Sequence, residues 1–168
     1  MNKHILTNLI IFAILIIVQI LICNQIVVFG VAIVFIFIYP IINFKMDLST
    51  SLLLTIAFFG GAIVDMFSDT LGVNALSCTL LASIKKPIFY AYVQKDDRIK
   101  SIIPSIKSLG FGNYSKYMFS LVLIYSLIAF GVEFLNFVSI INVLKMAISS
   151  AILTYIILLG LDTLLERK

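Results

Sequence analysis

The chain has 168 residues, of which 62% are hydrophobic and only 12% are charged, with a mean hydropathy of +1.18. A soluble domain needs far more charge than this to cover its surface, so the composition indicates an integral membrane protein. The net charge of +4 does not indicate nucleic-acid binding, because the basic residues lie beside apolar segments, where they orient a chain in the membrane. The length allows a single membrane domain, 1–168, without a sizeable domain outside the membrane.

Six apolar segments follow one another along the chain. They run over about Ile5–Ile22, Ile26–Ile42, Ser49–Phe67, Asn74–Val93, Tyr117–Phe137 and Ile140–Leu161. Each approaches the length of about 20 residues that a helix needs to cross the hydrocarbon core. The alternation of apolar and polar residues that is typical of β-barrel strands is not seen. The sequence therefore predicts an all-α integral membrane protein, a compact bundle of six transmembrane helices.

The distribution of lysine and arginine predicts the orientation of this bundle. With six spans, both termini share one side of the membrane with the turn near 43–48 and the long loop 94–116. That side collects the following basic residues: Lys3, Lys45, Lys95, Arg98, Lys100, Lys107, Lys116, Arg167 and Lys168. The turns on the opposite side contain no basic residue. Because cytoplasmic loops are enriched in lysine and arginine, we expect both termini to be cytoplasmic.

The most polar stretch within the apolar sequence joins the third and fourth predicted spans. Its notable residues are Gly60, Gly61, Asp65, Asp69, Gly72 and Asn74. Gly61, Asp65 and Asp69 are spaced by four and share one face if the third helix extends that far. The two adjacent glycines allow close approach of a neighbouring backbone, and Gly72 suits a tight turn. Asn74 is a candidate cap for the fourth helix.

Two interpretations of this stretch remain open. An ionisable residue within a membrane segment is costly, which makes Asp65 a candidate for a site that contacts a partner or a ligand. The alternative is that these residues only build a tight, capped helical hairpin.

Lys85 and Lys86 interrupt the fourth span and are followed by Pro87. A proline removes a helical hydrogen bond, so we expect a kink or a break there. The lysines either extend toward the cytoplasmic face or line a polar cleft.

The loop 94–116 carries isoleucines and a leucine at helical spacing, with lysines such as Lys107 between them. This pattern predicts a short amphipathic segment in the lipid interface, with Pro104 in its first turn and Gly110 and Gly112 at its end. A plain loop is the alternative.

The chain lacks the residue sets that common enzymes and metal sites require. His4 is the only histidine, and Cys23 and Cys78 have no metal-binding spacing, so we expect no metal and no cofactor. The acids of intramembrane aspartyl proteases come from separate helices, whereas Asp65 and Asp69 lie on one turn. We therefore expect a protein that is not an enzyme, with the two acids as candidate ligands for a cation or a cationic side chain.

Three stretches, in order, resemble the rod shape-determining protein MreD family of bacterial inner membranes. The most specific is Gly60-Gly61-(x3)-Asp65-(x3)-Asp69-Thr70-(x)-Gly72-(x)-Asn74-Ala75. Lys86-Pro87 stands where family members often carry a basic residue before proline. Pro104–Phe111 resembles the cytoplasmic loop of one branch of the family. The resemblance in length and organisation extends over nearly the whole chain.

The resemblance implies a multi-pass, non-enzymatic subunit of the cell-elongation machinery. MreD proteins are understood to work with MreC, and through it to connect the MreB filament to peptidoglycan synthesis by RodA and a class B penicillin-binding protein. On this interpretation Asp65, Asp69, Asn74 and Lys86 are candidate partner or ligand contacts. The loop residues Pro104, Lys107 and Gly110 form a second candidate contact surface.

A second class of protein stays open. The substrate-binding membrane subunits of energy-coupling-factor vitamin transporters are also six-helix bundles, and MreD is thought to share their architecture. Those subunits usually carry a pair of alanines four residues apart on the first helix, whereas Ala13 here is flanked at that spacing by Leu9 and Ile17. They also tend to place tryptophan in the vitamin pocket, and this chain has none. Both departures count against the transporter interpretation.

Overall fold

The computed structural model describes residues 3–25, 32–93, 103–134 and 139–165. In these ranges it contains six α-helices: α1 (Lys3–Leu21), α2 (Tyr39–Asn43), α3 (Thr50–Ser68), α4 (Val73–Tyr92), α5 (Ile106–Glu133) and α6 (Ile140–Leu165). Short 3-10 turns lie at Cys23–Gln25 and Ile36–Ile38. The all-α class is confirmed for the described part of the chain.

Three of these helices are long and apolar enough to cross a membrane, namely Thr50–Ser68, Ile106–Glu133 and the Ile140–Leu164 stretch of α6. The apolar part of α1, Leu6–Leu21, is shorter. The structure therefore supports a helical membrane protein. Helix α4 has 20 residues and passes through Pro87 without ending, so the expected break there is not found.

The second predicted span, Ile26–Ile42, was wrong for the part that the structure describes. Residues 26–31 lie outside that part, residues 32–35 are not helical, and the α-helix begins only at Tyr39 and ends at Asn43. The segment is nevertheless central to the fold. Four of its side chains are fully buried, namely Phe37, Ile38, Ile41 and Ile42. Non-helical backbone is tolerated at membrane depth only where other groups of the protein bind its amides and carbonyls.

Gln19 of α1 supplies two of these bonds. Its side-chain Nε2 donates to the carbonyl oxygen of Val34 at 2.9 Å, and its Oε1 accepts the backbone N–H of Ile36 at 3.0 Å. The side-chain amide of Gln19 thus makes the two hydrogen bonds that the backbone of a neighbouring strand would make in a sheet.

Helix α6 supplies the other two bonds from the opposite side of the segment. The hydroxyl of Ser150 accepts the N–H of Ile33 at 2.9 Å, and the hydroxyl of Thr154 accepts the N–H of Phe35 at 3.1 Å. Both hydroxyls are fully buried. Side chains of α1 and α6 thus bind the backbone of the extended segment, residues 33–36, from two sides.

The loop predicted over 94–116 is shorter in the structure, because α5 already begins at Ile106. Ser105 caps this helix: its hydroxyl accepts the N–H of Ser108 at 3.3 Å, and the hydroxyl of Ser108 accepts the N–H of Ser105 at 3.0 Å. Such a reciprocal pair satisfies amides that a helix start leaves free. Residues 94–102 lie outside the described part of the chain.

The amphipathic segment predicted around Pro104 is therefore only partly described. Pro104 precedes the capping serine, and the first turn of α5 is interrupted at Gly110, which has φ 75° and ψ 154°. This conformation requires glycine, in agreement with its predicted place at a break. Gly112 lies inside the helix and does not end it.

Hydrogen bonds and shared cavities define the two ends of the bundle. The Asp162 end brings together residues from α1, α2, α6 and the start of α5: Asn8, Tyr39, Asn43, Ser105 and Asp162. The Asp65 end brings together the end of α1, the α3–α4 turn and the end of α5, represented by Asn24, Ser68, Thr70, Asn74 and Glu133.

Candidate functional site

The α3–α4 corner is organised by the carboxylate of Asp65, which is 6% exposed. Its Oδ1 accepts the backbone N–H of Asn74 at 2.9 Å, and its Oδ2 accepts the N–H of Ala75 at 2.8 Å. Asn74 and Ala75 lie in the first turn of α4, where amides have no partner within the helix. Asp65 thus caps α4 from the neighbouring helix, with its charge at the positive end of the α4 dipole.

Two side chains complete the network around this carboxylate. The hydroxyl of Thr70 and the side-chain amide of Asn74 both donate to Oδ1 of Asp65. The Asn74 Oδ1 accepts the hydroxyl proton of Tyr125, a fully buried residue of α5, at 2.6 Å. The network therefore connects α3, α4 and α5.

Asn74 does not cap α4 as the sequence predicted. The cap position belongs to Gly72, which has φ 77°, a left-handed conformation that glycine adopts without strain. Gly72 thus lies in the turn between α3 and α4. The cap function of Asn74 is taken by Asp65, because the turn brings that carboxylate next to the first amides of α4.

Gly60 and Gly61 allow close approaches on two sides of α3. A Cβ atom at Gly61 would lie 2.5 Å from the carbonyl oxygen of Asn74 and 2.6 Å from the Cα of Ala75. A Cβ atom at Gly60 would overlap the ring of Phe12 on α1. Each glycine of the pair thus lies where a neighbouring group leaves no room for a Cβ atom.

Asp69 departs from the face that Gly61 and Asp65 share. It ends α3 in a left-handed conformation, with φ 52°, so the spacing of four no longer places it beside Asp65. Aspartate and asparagine tolerate this conformation better than most residues. The exposed Asp69 side chain lies instead between two concave regions.

The first concave region is a groove of about 890 Å³ on the outer surface of α3 and α4, which we call the α3–α4 groove. It is mainly apolar, and small residues such as Ala62 and Ala75 form part of its wall. The second is a more polar pocket of about 300 Å³ that also contains Glu133. Within the part of the chain that the structure describes, no group of three metal-binding side chains is found.

Lys85 and Lys86 both reach from α4 to the turn between α2 and α3, which is on the side that the sequence predicted to be cytoplasmic. The side chain of Lys86 is partly exposed there. Lys85 is 1% exposed, and its ammonium donates to the carbonyl oxygen of Phe44. Lys86 donates to the carbonyl oxygen of Leu48 at 2.8 Å. Both carbonyls belong to the turn between α2 and α3, so the two lysines hold this turn. Phe44 is the C-cap of α2, so Lys85 binds a carbonyl at the end of that helix.

The remaining predicted residues lie at the other end of the bundle and form no single site with Asp65. Pro104 is buried beside the start of α5, whereas Lys107 and Gly110 are exposed on its first turns. Pro87 lies within the uninterrupted helix α4.

The sequence interpretation missed Asp162, a carboxylate that is 1% exposed near the end of α6. Its Oδ1 accepts the hydroxyl protons of Tyr39 at 2.8 Å and Tyr114 at 2.9 Å. Part of a signal was present, since Ser150 and Thr154 are spaced by four and share one face of the helix, but Asp162 lies eight residues further on and is rotated away from that face. The last predicted span ended at Leu161, which placed this acid outside it.

Comparison with protein-family models, with curated proteins and with solved structures gave no match.

Proposed function

We propose that this protein is a non-enzymatic membrane adaptor of the bacterial cell-elongation, or rod shape, machinery. As a multi-pass protein of the inner membrane, it binds MreC and through it connects the MreB filament with RodA and a class B penicillin-binding protein. The support is the resemblance of Gly60–Ala75 to the corresponding region of the MreD family.

One observation carries this proposal: the residues on which the resemblance depends contact one another. Asp65 binds the amides of Asn74 and Ala75, Thr70 donates to the same carboxylate, and Gly61 leaves room for the backbone that Asp65 caps. The resemblance thus falls on residues that together build one capped helical hairpin. If the resemblance is genuine, we expect these residues to form one structural unit at the α3–α4 corner.

The α3–α4 groove beside this corner is the contact surface that we assign to the partner. Small residues, here Ala62 and Ala75, let the backbone of a second helix approach closely within a membrane. Apolar side chains project at its rim, where Met66 is mostly exposed and Leu71 fully exposed. A single transmembrane helix, such as that of MreC, fits this combination of a small-residue wall and an apolar rim.

The orientation that the basic residues predict belongs to the same proposal. The Asp162 end lies in the cytoplasm, and the α3–α4 corner lies at the outer face. The six crossings comprise α1, the segment that ends in α2, and α3 to α6. MreC has its main domain outside the cytoplasm, so its helix emerges beside the α3–α4 corner.

Affinity purification of the tagged protein from gently solubilised native membranes tests the proposal. The unaltered protein should recover MreC and proteins of cell-wall synthesis. Ala62→Phe should reduce the recovery of MreC roughly 5- to 150-fold, because overpacking a contact costs about 1–3 kcal/mol. Ala13→Phe, in a separate apolar groove between α1 and α3, is the matched control and should leave recovery unchanged.

Two results would contradict the proposal in different ways. Recovery of paired ATPase subunits with a membrane coupling protein would identify a transporter subunit and overturn the adaptor function. If both variants recover as much MreC as the unaltered protein, the proposed adaptor function stands, but the α3–α4 groove is rejected as its contact surface.

A further inference from the structure

The polar pocket of about 300 Å³ beside the α3–α4 corner, which we call the Glu133 pocket, is lined by two exposed acids, Asp69 and Glu133. Neither carboxylate accepts a hydrogen bond from another residue in the described part of the chain. The side-chain amide of Asn24, in contrast, already donates to the hydroxyl of Ser68. Among the described side chains of this pocket, the two acids therefore keep their capacity to bind a donor.

The ends of three helices add to the negative charge of this pocket. Glu133 is the last residue of α5, Asp69 is the C-cap of α3, and Asn24 lies just beyond the end of α1. The carboxyl end of a helix carries partial negative charge and carbonyl oxygens without a partner in the helix. The positive start of α4 also borders the pocket, but Asp65 already caps it. An acid at the carboxyl end of a helix is repelled by that helix, so the stability of the fold does not explain Asp69 and Glu133.

The basic residues of this chain lie elsewhere. Lys145, in the first part of α6, does not line the pocket, and the segments 26–31 and 135–138 contain no charged residue. The basic residues of 94–102 follow α4, whose 20 residues extend about 30 Å from the pocket. Nine residues that leave and rejoin the far end of the bundle cannot span that distance. Those of 166–168 follow the far end of α6. None of these residues is placed to neutralise the two acids.

The Glu133 pocket adjoins the α3–α4 groove, because Asp69 and Thr70 line both. On the proposed topology this junction lies at the outer face, where a helix seated in the groove leaves the membrane. Lysine and arginine near the ends of membrane helices extend their charged groups toward the interface. Small-molecule sites measure about 300–1,000 Å³, so this pocket is at their lower limit and suits one long side chain.

We propose that the Glu133 pocket receives a basic side chain, lysine or arginine, from the outer end of the partner helix that occupies the α3–α4 groove. Asp69, between groove and pocket, and Glu133, inside the pocket, pair with its cationic group. The apolar groove thus binds the partner helix, and the charged pocket fixes its depth and register in the membrane. This inference rests on the proposed adaptor function, because the partner helix is the one assigned there.

Affinity purification of the tagged protein tests the inference when bound MreC is washed in about 0.1 M and in about 1 M NaCl. The screening length falls from about 10 Å to about 3 Å over this range, so an exposed charge pair weakens. The double variant Asp69→Asn, Glu133→Gln should retain roughly 2- to 30-fold less MreC than the unaltered protein at low salt. At high salt this difference should disappear.

Asp47→Asn is the matched control, because it removes an exposed acid at the other end of the bundle and should retain MreC like the unaltered protein at both salt concentrations. The melting temperature of the purified double variant in detergent should not fall, because the two acids are repelled by their own helices. A lower melting temperature would show that the acids stabilise the fold and would overturn the inference.

The purification also separates this inference from the adaptor function. If the unaltered protein and the double variant retain equal amounts of MreC at low salt, the pocket does not bind the partner, while the adaptor function stands. A difference of the same size at both salt concentrations would likewise overturn the charge pairing. If the unaltered protein recovers no MreC, the adaptor function falls and this inference falls with it.

Discussion

Asp65 shows how a single acid is accommodated in an apolar bundle. Its two oxygens accept backbone amides at the start of α4 and polar side chains of Thr70 and Asn74. Asp162 uses the same principle at the opposite end, where the first amide of α5 donates to it. In both cases the charge lies at the positive end of a helix to which the residue itself does not belong.

Replacing Asp65 by asparagine should lower the free energy of unfolding by about 1–3 kcal/mol. The asparagine side chain has one acceptor oxygen fewer than the carboxylate. Its NH₂ group is a donor and faces the backbone N–H groups at the start of α4. The change is measured by thermal unfolding in detergent. Asp69→Asn is the control, because an exposed substitution of the same kind changes stability by less than about 0.5 kcal/mol. Equal losses in both variants would show that the cap carries no special stability.

The element that sequence patterns described least well is the segment before α2. A run of isoleucine and valine is compatible with a helix or with extended backbone, and its length favoured a membrane-spanning helix. The same β-branched residues also favour extended conformations, which is the local signal for the alternative. Gln19, Ser150 and Thr154 stabilise the extended form here by binding its amides and carbonyls.

Thr154→Val should therefore destabilise the protein by about 1–3 kcal/mol, because it leaves the buried N–H of Phe35 without an acceptor. Thr55→Val is the matched control. The exposed hydroxyl of Thr55 bonds only the carbonyl of Ser51 within its own helix, so its loss should change stability little. Thermal unfolding of both variants distinguishes them. A Thr154→Val variant as stable as the control would contradict the role of α6 in holding the segment.

At the scale of the whole molecule, the bundle has two chemically different ends. The start of α1, the turn after α2 and the start of α5 lie with the end of α6 at the Asp162 end, whereas the α3–α4 turn lies at the other. Helix α3 joins the two ends and has an exposed residue just beyond each terminus, Asp47 on one side and Leu71 on the other. These two positions report on orientation.

If the Asp162 end is cytoplasmic, a maleimide that does not cross membranes should label Leu71→Cys in intact spheroplasts. Asp47→Cys should be labelled only after the membrane is opened. Both variants are made in a chain that carries Cys23→Ala and Cys78→Ala, so that each has a single thiol. The reverse pattern of labelling would invert the proposed topology and place the α3–α4 corner in the cytoplasm.

Local sequence patterns are enough to predict the membrane class, the positions of α1, α3, α4 and α6, and the turn at Gly72. These features depend on local hydropathy and on backbone conformations that neighbouring residues decide. The hydrogen-bond partners of the extended segment, of Asp65 and of Asp162 depend instead on how the helices pack. Ile33 and its acceptor Ser150 are 117 residues apart. No local pattern records such a pairing, because the acceptor reaches the amide only when α6 packs against the segment.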